Sequence, residues 1–309
     1  MARMMTATRA WHEEAVAALE ERTGIGLLRD IPLSEHTYIG IGGPAKVLIE
    51  PETVEDLAWG IARMHQHGIP FEVLGAGSNL LVADKGPSFV VVSCAGLGDV
   101  PVVKAERVRA AAGFSVPRLT QRLQKAGLAG LEFAEGIPGS VGGAVRMNAG
   151  WHEGEFGPHV RSLTVVTRRG EIESLDCGGE FFAYRSCAGL GDRVVAEATL
   201  ELDPDDPAKI AERMRGFRDH RVKTQPTGER NAGCMFKNPQ GGHAGRIIDE
   251  CGLKGTRVGD AEVSSVHANF FINLGGATAR DVRALIEQVR ETVQRRTGVS
   301  LESEVVSWI

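Results

Sequence analysis

The sequence predicts an α+β protein of more than one lobe, and three stretches carry that expectation. The segment from Leu131 to Gly150 holds five glycines, at 136, 139, 142, 143 and 150, beside Pro138 and Ser140. A second glycine loop, Gly75-Ala-Gly-Ser-Asn79, follows the strand-like Phe71-Glu-Val-Leu74 and leads into Leu80-Leu-Val82. Asp203-Pro-Asp-Asp-Pro207 reads as a linker ahead of a further helix and strands. A chain of 309 residues is long enough for two or three lobes with real cores.

The elements follow in order. Residues 10–21 read as a helix with Trp11, Ala15, Ala18 and Leu19 on one side. Lys46–Ile49 reads as a strand. Gly40, Gly42 and Ala45 match a loose dinucleotide pattern, which is rejected because a strand follows where a helix is required. Thr53 opens a helix with Asp56 as its capping partner and Leu57, Ile61 and Met64 as its apolar stripe; Gly68 ends it. With the strand into Gly75 this makes a β-α-β unit. Strands are expected at 89–93 and 107–112. Ser115 is placed to cap a helix carrying Leu119 and Leu123, stopped by Gly127. Strands at 160–167 and 171–175 join through Arg169-Gly170, and Arg193–Leu202 alternates as a strand does. A helix then runs to about Val222, with Ile210, Met214 and Phe217 inward. Gln225–Pro239 reads as a long polar loop, and such loops are functional or disordered more often than not. A short helix at 246–251, a strand at 268–273, a helix capped by Thr278 and Asp281, and a strand from Leu301 to Ile309 complete the chain.

Composition excludes several classes. Thirty-five Lys and Arg against 40 Asp and Glu give a net charge of −5, which does not favour nucleic acid as a partner. No run of about 18 apolar residues is present, so no membrane span is expected. The start of the chain lacks an apolar core and carries Glu13, Glu14, Glu20 and Glu21, unlike a secretory signal. Cys94, Cys177, Cys187, Cys234 and Cys251 form no Cys-x-x-Cys pair, and reduced thiols in a cytoplasm fit that odd number best; no zinc site is expected.

Glycine lets a ligand or a second backbone come close. Val141–Met147, capped by Ser140, is expected to form a short helix whose first-turn N–H groups suit a pyrophosphate. Two strand-flanked glycine loops with Ser and Asn donors suggest two walls around one diphosphate. The pair Gly-Ala-Gly-Ser-Asn (75–79) and Gly-Ile-Pro-Gly-Ser-Val-Gly-Gly-Ala (136–144), with Asn148-Ala-Gly150, resembles the UDP-N-acetylenolpyruvoylglucosamine reductase family from about Leu33 to Ile309.

That resemblance implies a two-lobed FAD-binding portion like that of vanillyl-alcohol oxidase and p-cresol methylhydroxylase, followed by an α+β substrate-binding domain. The expected boundaries are an N-terminal helical extension at 1–25, FAD-binding lobes at about 26–90 and 91–203, a substrate domain at 207–299, and a C-terminal strand at 300–309. It implies noncovalent FAD held by Gly75, Ala76, Gly77, Ser78, Asn79, Leu80, Gly136, Ile137, Pro138, Gly139, Ser140, Gly142, Gly143 and Asn148. NADPH is the implied hydride donor. The implied reaction reduces UDP-N-acetylglucosamine enolpyruvate to UDP-N-acetylmuramate for peptidoglycan, in a cytoplasmic monomer.

Three implied catalytic residues follow from motif matches. Cys234, in Asn231-Ala-Gly-Cys, stands where the family carries the serine that gives a proton to the enolpyruvyl carbanion. A lone cysteine is usually a small buried hydrophobe. A thiol with a pKa of about 8.5 is, however, a far better acid than an alkyl hydroxyl. Glu304, rather than Glu302, matches the family's Glu-Val element, and its implied role is to orient the substrate or aid the proton transfer. Arg185 matches the Tyr-Arg-x-Ser element, where a guanidinium binds a carboxylate through two bonds and stabilises enolate charge. Tyr184, Arg221, Lys237 and Asn238 are the implied substrate contacts. Thr224 replaces a family lysine, Trp151 keeps an aromatic, His267 reads as a satisfied core histidine beside Asn269, and the short 239–247 stretch resembles the family's compact branch. The alternatives are an FAD oxidase of the same fold or a catalytically silent flavin- or nucleotide-sugar-binding protein. Gly75–Asn79 lacks the histidine or cysteine of a covalent flavin anchor.

Overall fold

A computed structural model describes residues 12–152 and 154–309. Trp11 lies outside the described residues; the helix expected around it, α1, runs over 12–19, with Ala15 and Leu19 fully buried. The chain forms two compact units. The first comprises the residues up to Ile31 with Ala45–Ala76 and Ser88–Arg218; the second comprises Pro32–Pro44, Gly77–Pro87 and Asp219–Ile309.

The first unit contains two sheets. One has the strand order Leu27–Pro32, Pro44–Ile49, Val90–Ser93, Phe71–Leu74. Helix α2, Val54–Gln66, connects the second strand to the fourth. Thr53 accepts the Asp56 N–H as its cap, and Leu57, Ile61 and Met64 are fully buried. The expected β-α-β unit differs in one respect: Val90–Ser93 lies between its two strands and pairs parallel with both. The three valines and the serine of that central strand are buried throughout, as a parallel strand covered on both faces requires.

The second sheet is antiparallel, ordered Ile172–Asp176, Val160–Val166, Val194–Glu201, Arg107–Ala111, Val102–Lys104. Helix α3, Val116–Ala126, buries Leu119 and Leu123 and ends on Gly127 in the left-handed region. Ser115 precedes it, but its hydroxyl makes no capping bond; Pro117 occupies a first-turn position where no N–H needs a partner. The short helix α4, Val141–Arg146, is capped by Ser140. Helix α5, Pro207–Thr224, buries Ile210 and Met214. Buried Glu132 pairs with Arg213 of this helix, and Glu135 with Arg218. The expected 203–207 linker is not one: Asp203–Pro204 pairs with Leu128–Ala129, and the division between units falls at 218/219, inside α5.

The second unit is built on an antiparallel sheet ordered Asn231–Cys234, Phe270–Asn273, Ala261–Val263, Arg257–Val258. The stretch expected as a loop thus contains an edge strand, kinked by a bulge between Asn231 and Cys234. Helices α6, Ala244–Glu250, and α7, Ala279–Thr297, cover a core containing Phe236, Phe271, Leu285 and Val289. Thr278 and Asp281 form the expected capping box of α7. The C-terminal strand is shorter than expected: only Val306–Trp308 is a strand, parallel to Leu80–Val82, and 301–305 is irregular. Among the described residues no helix is long and apolar enough to cross a membrane.

Candidate active site

In the first unit the two glycine loops meet. A methyl added to Gly75 would stand 2.8 Å from Ser140 Oγ, so a larger residue would displace that hydroxyl. The backbone N–H groups of Gly75, Ala76, Gly139 and Ser140 reach no acceptor among the described residues. The donors expected at the start of α4 are not available. Val141 N–H donates to Phe114 O at 2.9 Å, Gly142 N–H to Ala112 O at 2.8 Å, and Gly143 N–H to Ser140 Oγ at 3.4 Å. The anion-seeking donors therefore belong to the loops ahead of the helix, and a cluster of N–H groups with one hydroxyl is the donor set a diphosphate takes.

Asn148 is placed differently from the expectation. It is 1 % exposed and its backbone is left-handed, with φ 41°. Its Nδ2 donates to Glu155 Oε2 at 2.8 Å and to Ala183 O at 3.0 Å, while Oδ1 accepts Gly157 N–H at 2.8 Å. Both polar atoms are thus occupied by protein. What Asn148 secures is the turn closed by Ala183 and Ser186, whose tip is Tyr184-Arg185. Arg185 sits at φ 52°, half-buried, its guanidinium 5.1 Å from the Tyr184 ring centroid. A cavity of about 260 Å³ lined by Asn148, Glu155, Cys177 and Phe182 adjoins this turn in sequence, but the glycine loops do not line it. Trp151 packs against His152 and Phe217, with ring centroids 4.3 and 5.7 Å away.

In the second unit, Gly77 has φ 66°, and a methyl there would fall 1.9 Å from His36 O; only glycine fits. Ser78 and Asn79 are half-buried, and Leu80 is buried as the first residue of its strand. Cys234 ends the edge strand, half-buried, after Gly233 at φ 73°. Asn231 Oδ1 accepts the Gly233 N–H at 2.9 Å and shapes that bend. Next to it, Met235 O accepts the N–H of Glu304 at 2.8 Å, and Phe236 bridges Ser303. Cys234 and Glu304, 70 residues apart in sequence, are therefore carried on adjacent, hydrogen-bonded segments.

Four residues fix this arrangement or its surroundings: Asn269 and Glu302, named in the sequence but given no main role there, and Arg290 and Asp84, which sequence reasoning did not single out. Asn269 takes Phe236 N–H on Oδ1 and gives Nδ2 to Phe236 O, at 3.0 and 2.8 Å, locking the chain just past Cys234. Arg290, from α7, donates to Leu301 O and Ser303 Oγ at 3.2 and 2.8 Å. Asp84 accepts the first N–H groups of α7. Glu302 is exposed and pairs with Lys237 Nζ, so the lysine expected at the substrate is held by a carboxylate. Asn238 Oδ1 accepts Ala244 N–H at 3.0 Å at the start of α6. Arg221 Nη1 donates to Gln225 Oε1 at 3.1 Å in the last turn of α5, and Thr224 caps His220 O at 2.9 Å. His267 accepts Asn269 N–H on Nδ1 at 3.2 Å, and burial lowers its pKa, in keeping with the core role read from sequence. Burial pushes the thiols of Cys94 and Cys177 up to about 12 and raises that of Cys187. No disulfide forms and no cluster suited to a metal ion occurs among the described residues.

Known proteins resemble the chain along nearly its whole length. Residues 45–176 match the family model described as an FAD binding domain, and 225–308 match that of the UDP-N-acetylenolpyruvoylglucosamine reductase C-terminal domain. A UDP-N-acetylenolpyruvoylglucosamine reductase of Geobacter metallireducens is 43% identical over 95% of this chain and 98% of its own. One from Symbiobacterium thermophilum is 46% identical over 90% of each. The crystal structure of the Thermus caldophilus reductase superposes with a TM-score of 0.77 at 37% identity, covering 92% of this chain and 99% of that one. The chain belongs to the UDP-N-acetylenolpyruvoylglucosamine reductase family.

Proposed function

We propose the following division of labour for a reductase that converts UDP-N-acetylglucosamine enolpyruvate to UDP-N-acetylmuramate, a peptidoglycan precursor, with NADPH and FAD. The N–H groups of Gly75, Ala76, Gly139 and Ser140 in the first unit, with the Gly136–Gly143 loop around them, are the groups suited to the FAD diphosphate. Gly77, Ser78, Asn79 and Leu80 are the further candidates for FAD, by backbone rather than by side chain. When bound, FAD would supply the hydride chemistry between NADPH and one carbon of the enolpyruvyl double bond.

The remaining work falls to side chains. Arg185 binds the enolpyruvyl carboxylate and stabilises the charge that spreads onto it. Cys234 Sγ–H gives its proton to the neighbouring carbon, and the thiolate left behind regains a proton from solvent. Glu304 orients the substrate for that transfer. Tyr184, Arg221, Lys237 and Asn238 contact the nucleotide sugar, Lys237 after exchanging Glu302 for it. The observation that best supports this reading is the 2.8 Å bond from Glu304 N–H to Met235 O, which puts the Cys234 and Glu304 segments side by side. Rapid-mixing measurements of the two half-reactions test it. Flavin bleaching by NADPH should not depend on Cys234, whereas reoxidation by the enolpyruvyl sugar should. Oxygen-driven turnover without the sugar would favour an oxidase instead.

We also place the enzyme in the cytoplasm as a monomer, a setting suited to its thiols. Sedimentation velocity showing a dimer would replace the monomer.

A further inference from the structure

Asn79 sits in the glycine loop, yet its side chain serves another segment. Its Nδ2 donates to the main-chain carbonyl of Glu304 at 3.1 Å, across 225 residues of sequence. Its own carbonyl accepts the N–H of Val306 at 3.1 Å. On the other side, Glu304 N–H is held by Met235 O at 2.8 Å. The peptides flanking Glu304 are therefore fixed from two directions, by the chain beside Cys234 and by the glycine loop. Arg290 secures the same segment only upstream, at Leu301 and Ser303.

We infer that Asn79 is a positioning residue for Glu304: its amide donor fixes the Glu304 carbonyl, and with it the direction in which the carboxylate leaves the backbone. The inference rests on the role proposed for Glu304. Aspartate has the same shape but sets a carboxylate oxygen against the carbonyl. Serine and alanine leave the carbonyl without that donor. A half-buried amide–carbonyl bond is strong enough to bias one backbone conformation, and a 1 Å error at a reacting group is costly to rate.

The test uses the full-length, FAD-loaded enzyme with Asn79→Asp and Asn79→Ser. Amide exchange at Glu304 and Val306 should quicken by about 10-fold or more, because both N–H groups lie in the segment the amide holds. Reoxidation of reduced flavin by the enolpyruvyl sugar should slow by at least about 10-fold more than flavin reduction by NADPH does. In a double-mutant cycle, Asn79→Ser on top of Glu304→Gln should slow reoxidation by no more than about 2-fold beyond Glu304→Gln alone, since both act through one carboxylate. Unchanged exchange at 304–306 overturns the inference, as do fully additive effects in the cycle. Loss of FAD from both variants with unaltered exchange overturns it too, assigning the side chain to the cofactor. A Glu304→Gln enzyme with normal reoxidation is a different result, because it removes the role proposed for Glu304 itself.

Discussion

Cys234, the proposed proton donor, stands at the end of an edge strand; the family resemblance implies a serine there, and such an exchange alters acidity more than shape. A thiol gives up its proton some orders of magnitude more readily than an alkyl hydroxyl. Cys234→Ala should keep fast flavin bleaching by NADPH and lose most product formation, while Cys234→Ser should retain substantial activity. The same substitution should confer resistance to thiol alkylation. Burial raises the pKa of Cys94, Cys177 and Cys187, and Cys251 is buried away from reagent, leaving the half-buried Cys234 as the expected target. A Cys234→Ala enzyme turning over at the wild-type rate would transfer the proton to water or another group. Arg185→Ala and Glu304→Gln should slow reoxidation by the enolpyruvyl sugar by about 10²-fold or more, the scale for losing a charge-stabilising or proton-transfer group. Their flavin reduction by NADPH should persist, and equal damage to both half-reactions would indicate misfolding instead.

Among the elements, α7 shows which features the sequence makes legible. Its capping box, Thr278 with Asp281, lies within four consecutive residues and could be read directly. Asp84, 195 residues away, adds a second carboxylate at the same helix end, bonding Ala279 N–H at 2.7 Å and Arg280 N–H at 3.3 Å. No local pattern announces it. Asp84→Ala should cost about 0.5–2 kcal/mol, the range for losing a helix cap, with some help from the helix dipole. A urea midpoint unchanged from wild type would show that the capping box alone suffices. The same distinction between local and distant explains the other differences. Asn231–Cys234 did not read as a strand because it is short, polar and broken by Gly233; its pairing with Phe270–Asn273 is a tertiary fact. The 203–207 stretch has the composition of a linker, but Asp203–Pro204 is held by Leu128–Ala129 and Asp205 by Arg213. The candidacy of Cys234, Arg185 and Glu304 came from motif likeness, not from local pattern. Asn148 and Asn79 were legible as members of glycine loops, but the direction of their amides was not, because each reaches a main-chain carbonyl far along the chain, 35 and 225 residues away.

At the scale of the whole molecule, the cofactor and pH are the levers. The purified enzyme should be yellow, and acid precipitation should leave the flavin in the supernatant, since Gly75–Asn79 offers no histidine or cysteine to hold it covalently. Colour retained in the pellet would contradict this. Acid should also weaken the fold in two steps. Burial lowers the pKa of His159 in the first unit and of His267 in the second below the ordinary 6.5. As pH falls through that value the unfolded chain takes up protons that the folded chain refuses, so stability rises with pH across this window. The contribution is complete above about pH 6.5 and declines toward the lowered folded values. Carboxylates act lower down. The Thr278 hydroxyl holds Asp281 below its usual 3.8; at Asp56 burial pushes upward, but hydrogen bonds from Thr53 and Arg22 outweigh it. Stability from these two groups is present above the unfolded value and is lost as pH falls through the folded ones. Urea midpoints of the FAD-loaded enzyme should therefore be level between pH 8 and about 7, then decline toward pH 5, before the carboxylate step begins. Replacing both His159 and His267 by glutamine should flatten the upper step, whatever it does to absolute stability, because each removes a proton taken up only on unfolding. A midpoint that stays level to pH 5 in the wild type, or an upper step of the same size in the double variant, would assign the acid sensitivity to other groups.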